Sequence, residues 1–123
     1  MNDKKYFVYI LTNKRNGTVY TGITNNLLRR VLEHKEKVNK GFASKYSLDK
    51  LVHYEVFDYI NDAIKRETNV KAWKREWKLE LIEESNKDWK DLFYDLFSKE
   101  EIEEMRKLVK ESYITPGFQL SLE

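Results

Sequence analysis

The strongest constraint on the fold is a pair of strand-like segments joined by a short turn near the start of the chain. The segment Lys5–Thr12 is rich in aromatic and β-branched residues, and Thr18–Ile23 has the same character. Such residues favour extended structure. Asn16 and Gly17, in the turn between the two segments, tolerate the positive φ angles that tight hairpins require. The sequence therefore predicts an antiparallel β-hairpin.

The pattern that follows the hairpin predicts an α+β fold, a small three-stranded antiparallel sheet flanked by helices, with extra C-terminal helices. A chain of 123 residues can bury one modest core. We expect residues 1–90 to form the domain and residues 91–123 to form a helical extension packed on it. The predicted elements are a helix that is capped by Thr24, Asn25 or Asn26 and runs to about Val38, a strand over Leu51–Phe57, and helices over Asp58–Trp73, Glu76–Glu84, Asp88–Phe97 and beyond a capping box at Ser98–Glu101.

Composition excludes several classes of protein. Hydrophobic residues make up 41% of the chain and charged residues 36%, which is typical of a globular rather than a disordered protein. No run approaches the roughly 20 apolar residues of a membrane span, and no secretory segment precedes the first strand, so we expect a cytoplasmic protein. The absence of cysteine excludes disulfides and thiolate chemistry. The net charge of +2 is too small to indicate nucleic acid by itself.

Two tyrosines, Tyr9 and Tyr20, lie near the middle of the predicted strands. An aromatic residue in a strand most often belongs to the core. Side chains alternate along a strand, so Tyr20 and Gly22 share one face. The glycine leaves space beside the phenol, which a close approach of backbone or ligand would require. The two phenols are therefore candidates both for core packing and for a site.

The first predicted helix carries a second pair of candidates, Arg30 and His34, one turn apart. On the helical wheel they stack at the edge of an apolar stripe that begins at Leu27, whereas Arg29 and Glu33 turn further towards water. The planar guanidinium suits a phosphate group, and an imidazole transfers protons near neutral pH. The alternative is a solvated flank of the helix.

Glu67 is the most unusual residue of the second predicted helix, because it falls between the apolar residues Ala63 and Ile64 on the helical wheel. A carboxylate on a buried face is unfavourable unless it is paired or bound to a cation. One explanation is an ion pair with Lys71, which lies four residues further on. The other is a metal ligand, and a single carboxylate of this kind suits Mg²⁺.

The ordered set Tyr…Tyr-x-Gly…Arg-x-x-x-His…Glu resembles the GIY-YIG nuclease family, in particular the small standalone bacterial members related to the nuclease domain of the excinuclease C subunit. The resemblance covers about Lys5 to Trp89. Val8-Tyr9-Ile10 stands at the first triplet of the family and Tyr20-Thr21-Gly22 at the second. Arg30, His34 and Glu67 fall at the arginine, histidine and metal-binding glutamate of the family.

Three positions depart from the family pattern or leave it open. When the first triplet is aligned on Tyr9, Phe7 stands in place of its glycine, and Thr21 replaces the usual isoleucine of the second triplet. Both are backbone or packing positions, so we expect the chemistry to survive. The family asparagine beyond the glutamate corresponds to Asn69 or Asn86, and the sequence does not choose between them.

The resemblance implies metal-dependent hydrolysis of nucleic acid, with DNA as the favoured substrate, by an endonuclease that uses one Mg²⁺ or Mn²⁺. Glu67 would hold the metal, and Arg30 would neutralise charge in the transition state. Tyr9, or else His34, would deprotonate the attacking water, and Tyr20 would order it. We expect these five side chains to line one concave face of the sheet.

Two other function classes stay open from the sequence. The first is a non-catalytic nucleic-acid-binding module on the same fold, which salt-dependent binding without cleavage would identify. The second is a protein-interaction domain that uses exposed aromatic residues at Trp89, Phe93 and Phe97. For either nucleic-acid function, the candidate phosphate contacts are the basic residues of the turn, the loop and the helical segment after Glu67, Lys14, Arg15, Lys40, Lys45, Lys50, Lys71 and Lys74, with Arg75 and Lys78 for binding without hydrolysis.

Overall fold

In a computed structural model, which describes residues 4–37 and 45–114, the predicted three-stranded antiparallel sheet is present. The strands are β1 (Tyr6–Thr12), β2 (Val19–Thr24) and β3 (Lys50–Phe57). Their order is β2-β1-β3, so the hairpin strand β2 lies at one edge and β3 at the other. The α+β fold class predicted from the sequence is confirmed.

The hairpin register places the two candidate tyrosines on the same face of the sheet. Tyr9 pairs with Gly22, and Leu11 pairs with Tyr20. Partners in a cross-strand pair share a face, and side chains two residues apart along a strand share it too. In the turn, Asn16 has a φ of 57°, which is the left-handed conformation that the sequence predicted for this segment.

Helices lie on both faces of the sheet in the described residues. They are α1 (Leu27–Lys35), α2 (Ile60–Ala72), α3 (Arg75–Ser85), α4 (Phe93–Leu96) and α5 (Lys99–Ile114). None of them combines the length and apolarity that a bilayer crossing requires.

The helix ends follow the local sequence signals in two cases. The side chain of Asn26 caps α1 by accepting a hydrogen bond of 3.1 Å from the amide of Arg29. The predicted capping box is confirmed, because the Ser98 hydroxyl accepts from the Glu101 amide at 3.1 Å and the Glu101 carboxylate accepts from the Ser98 amide at 2.8 Å. The helix α1 ends earlier than predicted, since Lys37 is in the left-handed region with a φ of 55°; Val38 lies outside the described residues.

The two faces of the sheet have separate cores. On the first face, Tyr9 and Leu11 pack with α1, α4 and α5 through buried side chains that include Leu27, Val31, Leu32, Phe93, Ile102 and Val109. On the second face, Ile10 and Val52 pack with α2 and α3 through Val70, Ile82 and Trp89. Alternation along β1 accounts for this division, because Tyr9 and Ile10 point to opposite sides.

The segment between α3 and α4 crosses the β3 edge from the second core to the first. The side-chain amide of Asn86 donates to the Val52 carbonyl at 3.1 Å, and the backbone amide of Leu92 donates to the Leu51 carbonyl at 2.7 Å. The helix predicted over residues 88–97 is therefore wrong except for its last turn. Trp89 has a φ of 56°, which a helix does not accommodate, and its indole lies in the second core while Phe93 lies in the first.

Truncation after Asn86 should unfold the protein or leave it only marginally stable. It removes Phe93, Ile102 and Val109, which are buried in the first core. Burial of such side chains contributes about 1.5–3 kcal/mol each, and the total stability of a domain is about 5–15 kcal/mol. Urea unfolding followed by circular dichroism measures the loss, with truncation after Ile114 as the control that keeps α5. An unchanged midpoint would identify the removed segment, residues 87–123, as an independent appendage.

Candidate active site

A cavity of about 630 Å³ surrounds the edge strand β2, between α1 and α2. Because β2 lies at the edge of the sheet, the cavity receives side chains from both faces. Tyr20, Gly22 and Arg30 line it from the face that α1 covers, whereas Ile23 and Glu67 line it from the face that α2 covers. The polar wall is continuous with apolar residues of α2, so the cavity has two chemically distinct parts.

Three of the five predicted catalytic side chains line this cavity: Tyr20, Arg30 and Glu67. Tyr9 and His34 are not among its lining residues and are buried, with exposed fractions of 0% and 5%. The arrangement differs from the expected one, in which all five side chains face one side of the sheet. Helix α2 packs through Val70 on the face opposite to Tyr9, so Glu67 reaches the other residues around the β2 edge.

Tyr9 lies directly behind the cavity wall. A Cβ atom at Gly22 would lie 2.4 Å from the Tyr9 hydroxyl oxygen and 2.5 Å from its Cζ, so the phenol fills the space that glycine leaves. Gly22 itself lines the cavity. The space predicted beside Tyr20 is therefore occupied by the other tyrosine.

The two phenols and the imidazole form one cluster, which we call the Tyr–Tyr–His cluster (Tyr9, Tyr20 and His34). The Tyr9 hydroxyl oxygen and His34 Nε2 are 3.2 Å apart. The Tyr20 ring centroid lies 6.5 Å from that of Tyr9 and 5.8 Å from that of His34. Tyr20 is the outer member, in contact with the cavity, and the other two are the inner members.

The wall formed by α1 contains a buried carboxylate that the helical wheel placed towards water. Glu33 is 2% exposed, and its two carboxylate oxygens accept hydrogen bonds from Arg30 Nη1 at 2.9 Å and Arg29 Nε at 3.1 Å. A carboxylate tolerates such burial because two guanidinium groups compensate its charge. The wall formed by α1 therefore carries two guanidinium groups that share one carboxylate.

Glu67 forms the ion pair that the sequence offered as one of two explanations for its position. The Lys71 Nζ is 2.6 Å from the Glu67 carboxylate, whose side chain is 14% exposed. Lys71 is 49% exposed, so it can leave the pair for solvent or for a phosphate. Ala63 and Val70 face the sheet as expected, but Ile64 is 46% exposed rather than part of the buried stripe.

The residues around Glu67 fit a divalent cation only if ligands from outside the protein complete its coordination shell. In residues 4–37 and 45–114, no three or more His, Cys, Asp or Glu side chains come together as a metal cage. The nearby Glu33 is already held by two arginines. A single carboxylate can hold Mg²⁺ when water and phosphate oxygens complete the shell. The donor set thus fits a cation that binds together with a phosphate.

The predicted phosphate contacts lie in several places rather than around one rim. Lys71 lines the cavity. Lys14, Arg15 and Lys50 lie at the hairpin end of the sheet, where Thr12 pairs with both neighbouring strands. Lys74 stacks over the Trp77 ring at 5.0 Å and Lys45 over the Tyr46 ring at 5.5 Å. Lys40 lies outside the described residues.

Arg75, which the sequence offered only as a phosphate contact of a binding module, connects two of these basic groups. Its guanidinium donates to the carbonyl oxygens of Asn16 and Gly17, both at 2.8 Å. These contacts hold the turn that carries Lys14 and Arg15 against the start of α3. No local pattern predicts this contact, because the partners are backbone oxygens far away along the chain.

Neither candidate for the family asparagine lines the cavity. Asn86 is buried at the β3 edge, where its side chain donates to the carbonyls of Val52 and Lys90 and accepts from the Lys90 amide. All of these contacts are structural. Asn69 is exposed on α2.

A separate ionic group lies outside the cavity, where α2 packs on β3. The Glu55 carboxylate accepts hydrogen bonds from Arg66 Nε and Nη2 at 2.7 and 2.9 Å, and His53 Nε2 lies 2.8 Å from it. Burial raises the pKa of Glu55, but the hydrogen bonds and charges of His53 and Arg66 outweigh it and lower the pKa to about 2. The contact with Glu55 in turn raises the pKa of Arg66.

This lowered pKa makes stability depend on pH. Glu55 binds protons less readily in the folded chain than in the unfolded chain, where the pKa of its carboxyl has the ordinary value of 4.5. Its contribution is therefore complete above pH 4.5 and is lost as the pH falls towards 2. We expect Glu55→Gln to cost about 1–3 kcal/mol at pH 7 and progressively less below pH 4.5. Urea unfolding of both proteins across this range measures the difference, and a difference independent of pH would contradict the assignment.

The fold and the cavity define a GIY-YIG domain. The chain belongs to the GIY-YIG family, since the family model described as the GIY-YIG catalytic domain matches residues 5–80. This confirms the family that the ordered residues predicted. GIY-YIG domains are nuclease domains, so membership indicates nucleic acid as the class of substrate.

The chain is similar to several small proteins that carry the name UPF0213. One from Staphylococcus saprophyticus is 36% identical over 84 residues, which are 65% of this chain and 96% of the relative. One from Haloquadratum walsbyi is 41% identical over 88 residues, which are 68% and 92% of the two chains. The solution NMR structure of a UPF0213 protein from Bacillus halodurans covers 71% of this chain and 92% of its own, with 25% identity and a TM-score of 0.46.

Proposed function

We propose that the protein is a metal-dependent endonuclease that hydrolyses phosphodiester bonds in nucleic acid, with DNA as the favoured substrate. The observation that carries the proposal is the cavity in which Tyr20, Arg30 and Glu67 come together, in a chain of the GIY-YIG family. These three polar residues are far apart in the sequence, and the packing of an ordinary α+β domain does not require them to meet around an edge strand.

Two groups of the cavity act on the phosphate. Glu67 would hold a single Mg²⁺ or Mn²⁺, which supplies Lewis-acid stabilisation of the phosphoryl and leaving oxygens when it is bound. Arg30 donates hydrogen bonds to the phosphate and offsets the charge that develops in the transition state. The Glu33 carboxylate already orients this guanidinium, so Arg30 loses little further conformational entropy when it binds the phosphate.

The Tyr–Tyr–His cluster would orient and deprotonate the attacking water. Tyr20 faces the cavity and therefore orients this water. Tyr9 is the first candidate for the general base and His34 is the second, and the 3.2 Å contact would let the two share a proton. The ordinary pKa of a phenol is about 10, so a phenolate needs a neighbouring positive charge. Arg30, which lines the cavity wall in front of Tyr9, would supply such a charge.

The rival function is binding of nucleic acid without hydrolysis. The specific observation in its favour is the contact of Arg75 with the hairpin turn, which joins Lys14 and Arg15 to the basic start of α3. Phosphate contacts of this kind contribute affinity that falls with salt, and they need no catalytic group.

A cleavage and binding panel separates these functions. Duplex, flap and branched DNA and the corresponding RNA are incubated with Mg²⁺ or Mn²⁺, and cleavage is followed on denaturing gels. Cleavage that requires the metal supports the endonuclease. Binding with steep salt dependence but no cleavage supports the binding module. If the protein neither cleaves nor binds any of these substrates, both nucleic-acid functions are rejected. The protein-interaction domain gains no support from that result, because Trp89 and Phe93, two of the aromatic residues expected to be exposed for it, are buried.

A further inference from the structure

One face of α2 presents two kinds of side chain to the cavity. Ile60 and Ile64 lie in the first half of the helix, and Glu67 and Lys71 lie in the second half. Their spacing of four, three and four residues places all four on one line along the helix. All four line the cavity. The cavity therefore has an apolar part beside an ionic part.

The apolar part is not an extension of the protein core. Ile60 is 48% exposed and Ile64 is 46% exposed, whereas Ala63 and Val70 on the sheet-facing side of the same helix are fully buried. Large aliphatic side chains that are grouped and exposed next to a site indicate a binding surface.

The sheet supplies the opposite wall of this apolar part. Tyr6 of β1 and Ile23 of β2 line the cavity together with the two isoleucines of α2. Ile23 pairs with Val8, two residues from Tyr6 on the same sheet face. We call these four residues, Tyr6, Ile23, Ile60 and Ile64, the apolar compartment. It offers one aromatic ring and three aliphatic side chains.

The ionic part adjoins the apolar compartment within the same cavity. It contains the guanidinium groups of Arg29 and Arg30, both bound to Glu33, and the Lys71–Glu67 pair. A ligand that fits both parts must carry an anionic group next to a flat apolar group. A nucleotide has this composition, and the cavity volume lies in the range of about 300–1,000 Å³ that is typical of small-ligand sites.

We propose that the apolar compartment binds the base of an unpaired nucleotide next to the phosphate held by Arg30. The substrate class is then nucleic acid with a single-stranded nucleotide at the cleavage site, rather than continuous duplex. In a continuous duplex the base is stacked and paired, and it must be extruded before it can enter a pocket. An unpaired base avoids that cost and gains contacts with the aromatic ring of Tyr6. This inference rests on the proposed function and specifies its substrate.

Binding without divalent metal tests the inference, because no cleavage then interferes. Fluorescence anisotropy is recorded with a perfect DNA duplex and with the same duplex containing a central run of unpaired nucleotides. We expect the protein to bind the second about tenfold more tightly. The double variant Ile60→Ser with Ile64→Ser should lose this preference and keep its affinity for the perfect duplex. Val56→Ser is the matched control, since Val56 is an aliphatic residue, 51% exposed, that does not line the cavity.

The possible results distinguish the inference from the proposed function. Equal affinity of the parent protein for both oligonucleotides, together with metal-dependent cleavage of the perfect duplex, would overturn the inference and leave the endonuclease intact. An equal loss of affinity for both in the double variant would also overturn it, because the compartment would then serve general binding. Failure to bind or cleave any nucleic acid would reject both. Circular dichroism of the variants verifies that they fold.

Discussion

Glu67→Ala is expected to abolish metal-dependent cleavage while leaving the fold intact. Loss of Lewis-acid stabilisation removes several kcal/mol, and each ~1.4 kcal/mol is a factor of ten, so the rate should fall by about 10³-fold or more. Stability should change by less than about 1 kcal/mol, because the carboxylate is paired with a lysine that is 49% exposed. Single-turnover cleavage and thermal unfolding measure the two effects.

Lys71→Ala is the matched control for this variant, since it breaks the same ion pair and keeps the carboxylate. Mg²⁺ or Mn²⁺ in the presence of an oligonucleotide should raise the melting temperature of the parent and of Lys71→Ala, but not that of Glu67→Ala. Cleavage by Glu67→Ala at the parent rate would show that Glu67 does not hold the metal. A large loss of stability in Glu67→Ala would instead identify the ion pair as the reason for its position.

Gly22→Ala is expected to destabilise the protein by about 1–3 kcal/mol or more and to suppress cleavage. The added Cβ would lie 2.4–2.5 Å from the Tyr9 hydroxyl oxygen and Cζ. Tyr9 is fully buried in the first core, so its ring cannot swing away into solvent. The backbone at Gly22 is outside the left-handed region, which makes the requirement for glycine purely steric. Chemical unfolding and the cleavage assay measure the two effects.

A double-mutant cycle tests whether Tyr9 is the cause. In the background of Tyr9→Leu, which removes the atoms nearest to residue 22, Gly22→Ala should cost much less than it does alone. Additive effects of the two substitutions would show that the methyl group meets another neighbour. The cycle also isolates the packing of the phenol from its chemistry, because unfolding is measured without substrate.

The sequence was sufficient to predict the sheet, the first helix and the family, because each depends on signals within a short stretch of chain. Alternation and turn residues define the hairpin, and Asn26 and Ser98 mark the starts of two helices. The order and spacing of the polar set identify a GIY-YIG domain without any knowledge of the packing.

The arrangement of the site depended on contacts between layers, which a helical wheel does not contain. The wheel gives the direction of Glu33 from its own helix axis, but its burial depends on Arg29, Arg30 and the cavity beyond them. Likewise, Glu67 was expected on the same sheet face as Tyr9. Its helix packs on the other face, and Glu67 shares a cavity with Tyr20 and Arg30 because β2 is an edge strand.

The path of the chain after α3 also escaped prediction for a physical reason. The apolar spacing of Trp89, Leu92 and Phe93 is compatible with one helix, and it is equally compatible with a segment that divides its side chains between two cores. The left-handed backbone at Trp89 decides between them. Tertiary contacts stabilise that conformation, and propensity alone would not predict it for a tryptophan.

The closure of the β3 edge by Asn86 and Leu92 has a consequence for how this protein avoids self-association. An exposed edge strand is a template on which another chain can add a strand, the first step of many amyloid-like aggregates. Here the backbone of β3 is engaged by the chain's own connecting segment, and the opposite edge is flanked by the charged residues of the cavity. Resistance to aggregation and access for substrate are thus assigned to opposite edges of one small sheet. Redesign of the Asn86–Leu92 segment would tune the first without altering the second.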